Sequence, residues 1–265
     1  MSGGSPFPFG GLAGLRRYAL LGLALIAWEL LARSGRFSPI IFPSLVQIAR
    51  EFVLLVTHID RLVEAWYSLY RALGGFALAA AAGVLVGMVM GRSSLAAGLF
   101  EPLFSGTYPV PKIALFPLFV FVFGIGSLSK IVLVFLECLY PIVINTYYGA
   151  RAVNPVLIWS ARNLGATRGQ ILRRVVAPAA APFIFAGLRV ALPIALVVVI
   201  ITEMIGSADG LGYAVIYAFA SFQTARVLAA ATAVALLGLA LDRLLVALRN
   251  RLIFWEKLEA YYARS

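Results

Sequence analysis

The chain of 265 residues is strongly apolar and basic: 62% of its residues are hydrophobic, its mean hydropathy is +0.97 and its net charge is +11. Soluble domains are about 45–50% apolar, so the composition excludes a soluble protein and predicts an all-α polytopic membrane protein. The positive charges stand between apolar runs rather than in one patch. This distribution excludes nucleic acid as a partner and is typical of loops that face the cytoplasm.

Residues for metal binding, disulfide formation or catalysis are scarce. The single cysteine, Cys138, excludes an internal disulfide, and the single histidine, His58, has no cysteine or carboxylate cluster at metal-ligand spacing. The P-loop pattern G-x-x-x-x-G-K-[ST] does not occur, so the chain has no such loop to hold ATP. We therefore expect no catalytic residue, no metal site and no cofactor bound by this chain.

The first quarter of the chain predicts a tail, a span and a surface helix. Residues 1–15 are rich in Gly and Pro and predict a flexible cytoplasmic tail. The segment 16–66 holds a first transmembrane helix, 18–32, followed by an amphipathic helix capped by Ser44 that we expect on the outer surface.

A second span is predicted at 68–91, and its glycines indicate close helix packing. Gly83 and Gly87 form a G-x-x-x-G pair, which allows two helices to approach closely in lipid.

The third span, 95–123, contains four prolines and must be broken or kinked. Broken backbone at membrane depth has to face protein or water. Lys112 lies inside this span, and it either marks a functional site or pairs with a carbonyl or snorkels. We expect a translocation path near Lys112, Glu137 of the fourth span (131–150) and Glu203 at the end of the fifth (183–205). Glu137 could pair with Lys112.

The segment 154–182 predicts a short helix presented on a loop. Asn154 can cap a helix whose first turn holds Pro155, and Gly165 can close that helix in the left-handed conformation. Thr167 can cap a second helix, which Pro178 is expected to end. From the residues alone, a docking element and an ordinary charged loop are both open.

Several motifs resemble those of ABC importer permeases. The coupling loop of that family is written E-A-A-x-x-x-G with a downstream aliphatic-x-x-P element. Aligned on Gly165, its alanines fall on Ser160 and Ala161, and the Glu falls on Trp159. The runs PVPKIALFPLFVFVFGIGSLSK and GSADGLGYAVIYA resemble the third span and the re-entrant segment. The order of these motifs from 41 to 248 resembles the nitrate, sulfonate and taurine branch.

This resemblance implies the type I permease fold, with about six transmembrane helices and a cytoplasmic coupling helix. The core domain would cover 67–248, with the coupling loop at 154–182 and a cytoplasmic tail at 249–265. The resemblance assigns contact with the ATPase to the residues of the motif: Trp159, Ser160, Ala161, Arg162, Leu164, Gly165, Ala166 and Pro178.

The resemblance also implies partners and a location. These are two ABC ATPase subunits that use ATP and Mg, a second permease copy in a homodimer, and an extracytoplasmic solute-binding protein, all at a bacterial inner membrane. The solute would be nitrate, a sulfonate, taurine or a pyrimidine precursor of thiamine. The alternatives are a secondary transporter driven by an ion gradient and, further off, a membrane enzyme.

Charge predicts the orientation. Six spans place both termini and the segment 154–182 on one side, which holds fourteen of the 22 lysines and arginines. Seven, including Arg71, fall on the other side, and Lys112 lies within the membrane. This bias predicts cytoplasmic termini.

Overall fold

The computed structural model describes residues 12–255, and within this range it contains helices and no strand. Contacts divide the described residues into two units, one of residues 12–62 and 215–233 and the other of 63–214 and 234–255. The α-helices are α1 Leu12–Arg33, α2 Leu45–Thr57, α3 Ile59–Arg92, α4 Ser94–Thr107, α5 Phe116–Phe123, α6 Ser127–Arg151, α7 Pro155–Asn163, α8 Arg168–Ile171, α9 Ala177–Gly206, α10 Leu211–Ala220 and α11 Thr224–Leu252.

Within the described range, four helices are long and apolar enough to cross a membrane: Ile59–Arg92, Ser127–Arg151, Arg168–Gly206 and Thr224–Leu252. A fifth span is obtained if the bent pair Ser94–Thr107 and Lys112–Phe123 crosses as one. The sequence predicted six, and the remaining one, at α1, stays a prediction.

The third predicted span is broken, as its prolines required. Its two halves meet at an angle of 86°, and the break falls between Thr107 and Lys112, where Pro109 and Pro111 cannot donate backbone hydrogen bonds. Lys112–Leu115 forms one 3-10 turn, and α5 follows directly with Pro117 in its first turn.

Helices α3, α6 and α9 form the main core. Their buried side chains include Ala79 from α3, Leu133 and Cys138 from α6, and Ala191 and Val199 from α9. The thiol of Cys138 donates to the carbonyl oxygen of Ala191 at 3.3 Å. The cysteine is thus a small buried residue of the core.

Glycines bring α3 and α6 into direct backbone contact. A Cβ at Gly83 would lie 2.8 Å from a side-chain carbon of Ile142, and one at Gly87 would lie 2.6 Å from Cβ of Thr146. The same holds at Gly75 and Gly91, where the nearest atoms would be 2.6 Å and 2.5 Å away. The close contact therefore runs well beyond the predicted G-x-x-x-G pair.

The helix after Thr167 does not end at Pro178, which corrects the sequence prediction. Helix α8, a π turn over Leu172–Val176 and α9 form one continuous helix from Arg168 to Gly206. Pro178 lies in the first turn of α9, directly after the wider π turn, where a missing N–H is tolerated. The fifth span is accordingly longer than predicted.

In the other unit, α2 begins as its sequence predicted. Ser44 is the N-cap, and its hydroxyl and the Gln47 side chain form a reciprocal capping box. Trp28 of α1 donates its indole N–H to the carbonyl oxygen of Pro43 at 3.0 Å and stacks on Phe42 with ring centroids 4.3 Å apart. These contacts tie α1 to the start of α2.

Candidate functional site

Helix α7 is capped at both ends by its own residues. The side-chain oxygen of Asn154 accepts the N–H of Val156 at 2.9 Å. At the other end Gly165 has φ +80°, and its N–H and that of Ala166 donate to the carbonyls of Arg162 and Ala161, each at 3.0 Å. This is the Schellman pattern, in which a left-handed glycine allows the last carbonyls to be paired.

The turn after α7 leads straight into the next helix. Thr167 and Gln170 form a second capping box, with N–H to side-chain oxygen distances of 2.8 Å and 3.3 Å. Both ends of α7 and the start of α8 are therefore satisfied by hydrogen bonds within the α7–turn–α8 element itself.

One face of α7 is buried and another is open. Ile158 packs with Ile171 and Val176 in a cluster that Ala161 and Ala166 partly complete. On the open side Trp159 is 59% exposed and Leu164 is 87% exposed. Ser160 and Arg162 are exposed as well, and Pro178 is half-buried. A short helix with large exposed apolar side chains is typical of a contact surface.

A buried ionic network that the sequence did not predict lies elsewhere in the same unit. Arg71 of α3 donates from Nη1 to Oε1 of Glu203 at 2.8 Å and from Nη2 to Oδ1 of Asp209 at 2.5 Å. The side chains of Arg71 and Glu203 are only 2% and 0% exposed. Arg71 was counted among the loop charges of the outer side; its long α3 helix carries it into the protein next to two carboxylates, and the side of the membrane stays a prediction.

Both carboxylate oxygens of Glu203 accept hydrogen bonds. Its Oε2 accepts the Ser68 hydroxyl at 2.6 Å and the Gly212 N–H at 3.0 Å, and Oε1 accepts Arg71. The Ser68 hydroxyl also accepts the N–H of Leu211 at 2.8 Å. The network thus fixes the start of α10 to α3 and α9.

Asp209 belongs to this network, and the buried Lys130 lies near it. Asp209 lies in the turn between α9 and α10, where its burial favours the neutral acid, but the Arg71 guanidinium outweighs burial and lowers the pKa of Asp209. Lys130 of α6 is fully buried, and its ammonium donates to the carbonyls of Ile125 and Gly126 at 2.7 Å and 3.2 Å.

The three residues predicted near a translocation path do not form one cluster of contacts among the described residues. Lys112 is 7% exposed, with its ammonium 3.9 Å from the Tyr140 ring centroid and 3.3 Å from the carbonyl oxygen of Val110. Lys112 thus pairs with a backbone carbonyl, which is one of the alternatives given for it above. Glu137 is half-buried and forms no ion pair with Lys112 in the described range. Whether Lys112, Glu137 and Glu203 line a path stays a prediction.

A scan against family models matches residues 81–254 to "Binding-protein-dependent transport system inner membrane component". Among curated proteins, the taurine transport system permease protein of Escherichia coli is 34% identical, with 89% of this chain and 88% of that protein covered. The putative aliphatic sulfonates transport permease protein of Bacillus subtilis is 33% identical, with coverages of 92% and 90%.

The fold has a counterpart among solved structures. A chain of the MetNI methionine ABC transporter in inward-facing conformations matches with a TM-score of 0.52 and 19% identity, over 82% of this chain and 98% of that one. At this identity the match shows the fold alone, which is that of an ABC transporter permease. The family match and the two relatives identify this chain as a member of the binding-protein-dependent transport system inner membrane components, the permeases of ABC importers.

Proposed function

We propose that α7 and the turn after it dock on a separate ABC ATPase and transmit its motion to the membrane helices. The contact residues would be those of the predicted coupling motif: Trp159, Ser160, Ala161, Arg162, Leu164, Gly165 and Ala166, with Pro178 supporting the helix behind them. The complete importer would hold two copies of this chain, two ATPases that bind ATP and Mg, and an extracytoplasmic solute-binding protein.

The open face of α7 supports this proposal. Four apolar side chains on or next to α7 are more than half exposed: Val156, Leu157, Trp159 and Leu164. Water-exposed apolar groups on a helix with satisfied ends favour a protein partner. The family's Glu is replaced by Trp159, so we expect the contact at this position to be apolar rather than ionic.

The relatives support a class of solute. The two reported above are named as a taurine transport system permease and a putative aliphatic sulfonates transport permease. We infer that this chain passes a small organic sulfonate across an inner membrane, with both termini and α7 on the cytoplasmic side.

The docking test compares two tryptophans of similar exposure. Trp159 is 59% exposed and Trp66 of α3 is 63% exposed. Each would be replaced by alanine, and the permease would be purified with its cognate ATPase through a tag on the permease. We expect Trp159→Ala to reduce the bound ATPase at least tenfold, because a central aromatic at an interface often contributes about 2 kcal/mol or more.

Trp66→Ala is the matched control and should retain the ATPase at the wild-type ratio. If Trp159→Ala also retains it, α7 is not the docking element. Uptake of labelled taurine into vesicles that contain the complete complex would then test the solute class separately.

A further inference from the structure

Three arginines surround one pocket beside α7, which we call the three-arginine pocket. The cavity has a volume of about 380 Å³. Arg92 comes from the end of α3, Arg162 from α7 and Arg168 from the start of α8. The apolar remainder of the lining is formed by Ile158, Ile171, Leu172 and Val176.

The charge of the pocket is uncompensated within the part of the chain that the structure describes. No acidic residue lines it, and none of its arginines takes part in an ion pair there. Three guanidinium groups around one cavity repel one another unless an anion lies between them. Their planar forks match the oxygens of a phosphate group.

The position of the pocket along the spans indicates where that phosphate comes from. Arg92 is the last residue of the span Ile59–Arg92, and Arg168 is the first residue of the span Arg168–Gly206. Arg92 directly follows the apolar run of its span, so it lies near the level where that helix leaves the hydrocarbon core, which is the level of the lipid headgroups. The helix Arg168–Gly206 has 39 residues, more than a bilayer core requires, so Arg168 lies beyond that level and lines the pocket from there. Leu172, at the apolar side of the pocket, is 40% exposed and is available to an acyl chain.

We propose that the three-arginine pocket binds the headgroup phosphate of an anionic phospholipid. The headgroup would join Arg162 and Arg168, which stand on either side of the Gly165 turn, to Arg92 at the end of α3. Bound lipid would thereby hold α7 against the membrane helices. Arg162 also belongs to the proposed contact with the ATPase, whereas Arg92 and Arg168 do not, so the site does not require the proposed docking on α7.

The test uses purified permease in neutral detergent and phosphatidylglycerol, with phosphatidylcholine of the same acyl chains for comparison. Bound lipid is counted by native mass spectrometry across a titration. We expect wild-type protein to retain phosphatidylglycerol in preference to phosphatidylcholine. The double variant Arg92→Gln/Arg168→Gln should lose about tenfold or more in affinity for phosphatidylglycerol, because each arginine near a lipid surface contributes to binding.

A matched control removes the same charge nearby. Arg173 and Arg174 are exposed neighbours in the π turn and do not line this pocket. Arg173→Gln/Arg174→Gln should change phosphatidylglycerol affinity by less than threefold. All the arginines exchanged here are exposed, and thermal unfolding would check that each variant is folded. The single variant Arg162→Gln, with an intermediate loss, provides an independent reading.

Three outcomes overturn the proposal. The control variant could lose as much affinity as the pocket variant, which would mean that lipid responds only to net charge. Millimolar inorganic phosphate could displace the lipid, which would assign the pocket to a free anion. The pocket variant could retain phosphatidylglycerol but lose the cognate ATPase, which would assign the pocket to an acidic side chain of that partner.

Discussion

Replacing Glu203 by glutamine tests the buried ionic network. Oε2 of Glu203 accepts two donors, Ser68 and Gly212, while Oε1 accepts Arg71. Glutamine keeps the size of the side chain but exchanges one acceptor for a donor. With its oxygen toward Ser68 and Gly212, its NH₂ group meets the Arg71 guanidinium. With the amide reversed, the NH₂ group meets the N–H of Gly212.

Either orientation leaves facing donors inside the protein. Breaking a buried ion pair by removing one partner costs about 3–5 kcal/mol. For a chain of this size, 1 kcal/mol lowers Tm by about 2–4 °C, so we expect a fall of about 6–20 °C. The assay is thermal unfolding of the purified permease in detergent, followed by the loss of the monodisperse peak in size-exclusion chromatography.

A second pair serves as the control. Arg61 and Glu51 form an ion pair at 3.0 Å whose side chains are 28% and 29% exposed. Glu51→Gln should cost about 0–1 kcal/mol, as partly solvated pairs do. The double variant Arg71→Met/Glu203→Gln should be less destabilised than the sum of its single variants, because the guanidinium that Glu203→Gln leaves facing a donor is also removed. Asp209, which loses Arg71 in this variant, is 38% exposed and stays solvated. If Glu203→Gln unfolds at the same temperature as Glu51→Gln, the network does not stabilise the fold.

Three further predictions concern packing, coupling and orientation. Gly87→Val should destabilise the permease by about 1–3 kcal/mol in the same unfolding assay, because its Cβ would lie 2.6 Å from an atom of α6. Gly98→Val has open space around it and should cost less; equal costs for the two variants would contradict the close contact. Gly165 has φ +80° and no neighbour within 4 Å, so a valine at this position would strain the backbone without clashing with another side chain. For Gly165→Val we expect a nearly unchanged Tm but no stimulation of the ATPase by loaded binding protein; full stimulation would count against a coupling role. With the native cysteine replaced by alanine, Ile125→Cys should react with an impermeant thiol reagent in intact cells and Thr167→Cys should not; the reverse pattern would invert the topology.

Local signals predicted much of the fold. Proline positions indicated the break in the third span, and short-range patterns indicated the Ser44 cap and the α7 boundaries. These features depend on backbone chemistry within a few residues, such as a missing N–H at Pro109 or a left-handed Gly165. A single sequence therefore contains most of the information that sets them.

Other features depended on distant partners. Arg71 and Glu203 are 132 residues apart in the sequence, and no pattern in either segment predicts that they are in contact. Arg71 stands near the start of an apolar run, so hydropathy gave no reason to expect it inside the protein, although its long helix brings it against Glu203 of α9. The prediction that Pro178 ends a helix failed for a different reason. A proline suits the first turn of a helix as well as the residues after its end, and no sequence pattern indicates the π turn that precedes Pro178.

The close contact between α3 and α6 restricts how these two helices can move past each other. A small residue stands at every fourth position along this side of α3: Gly75, Ala79, Gly83, Gly87 and Gly91. A shift of one residue would bring Phe76, Val84 and Met88 to places where only a hydrogen atom fits. A shift of four residues, about 6 Å along the helix axis, would again set small residues opposite α6 along most of the contact. The two helices therefore have discrete registers, and sliding between them is favoured in steps of four residues.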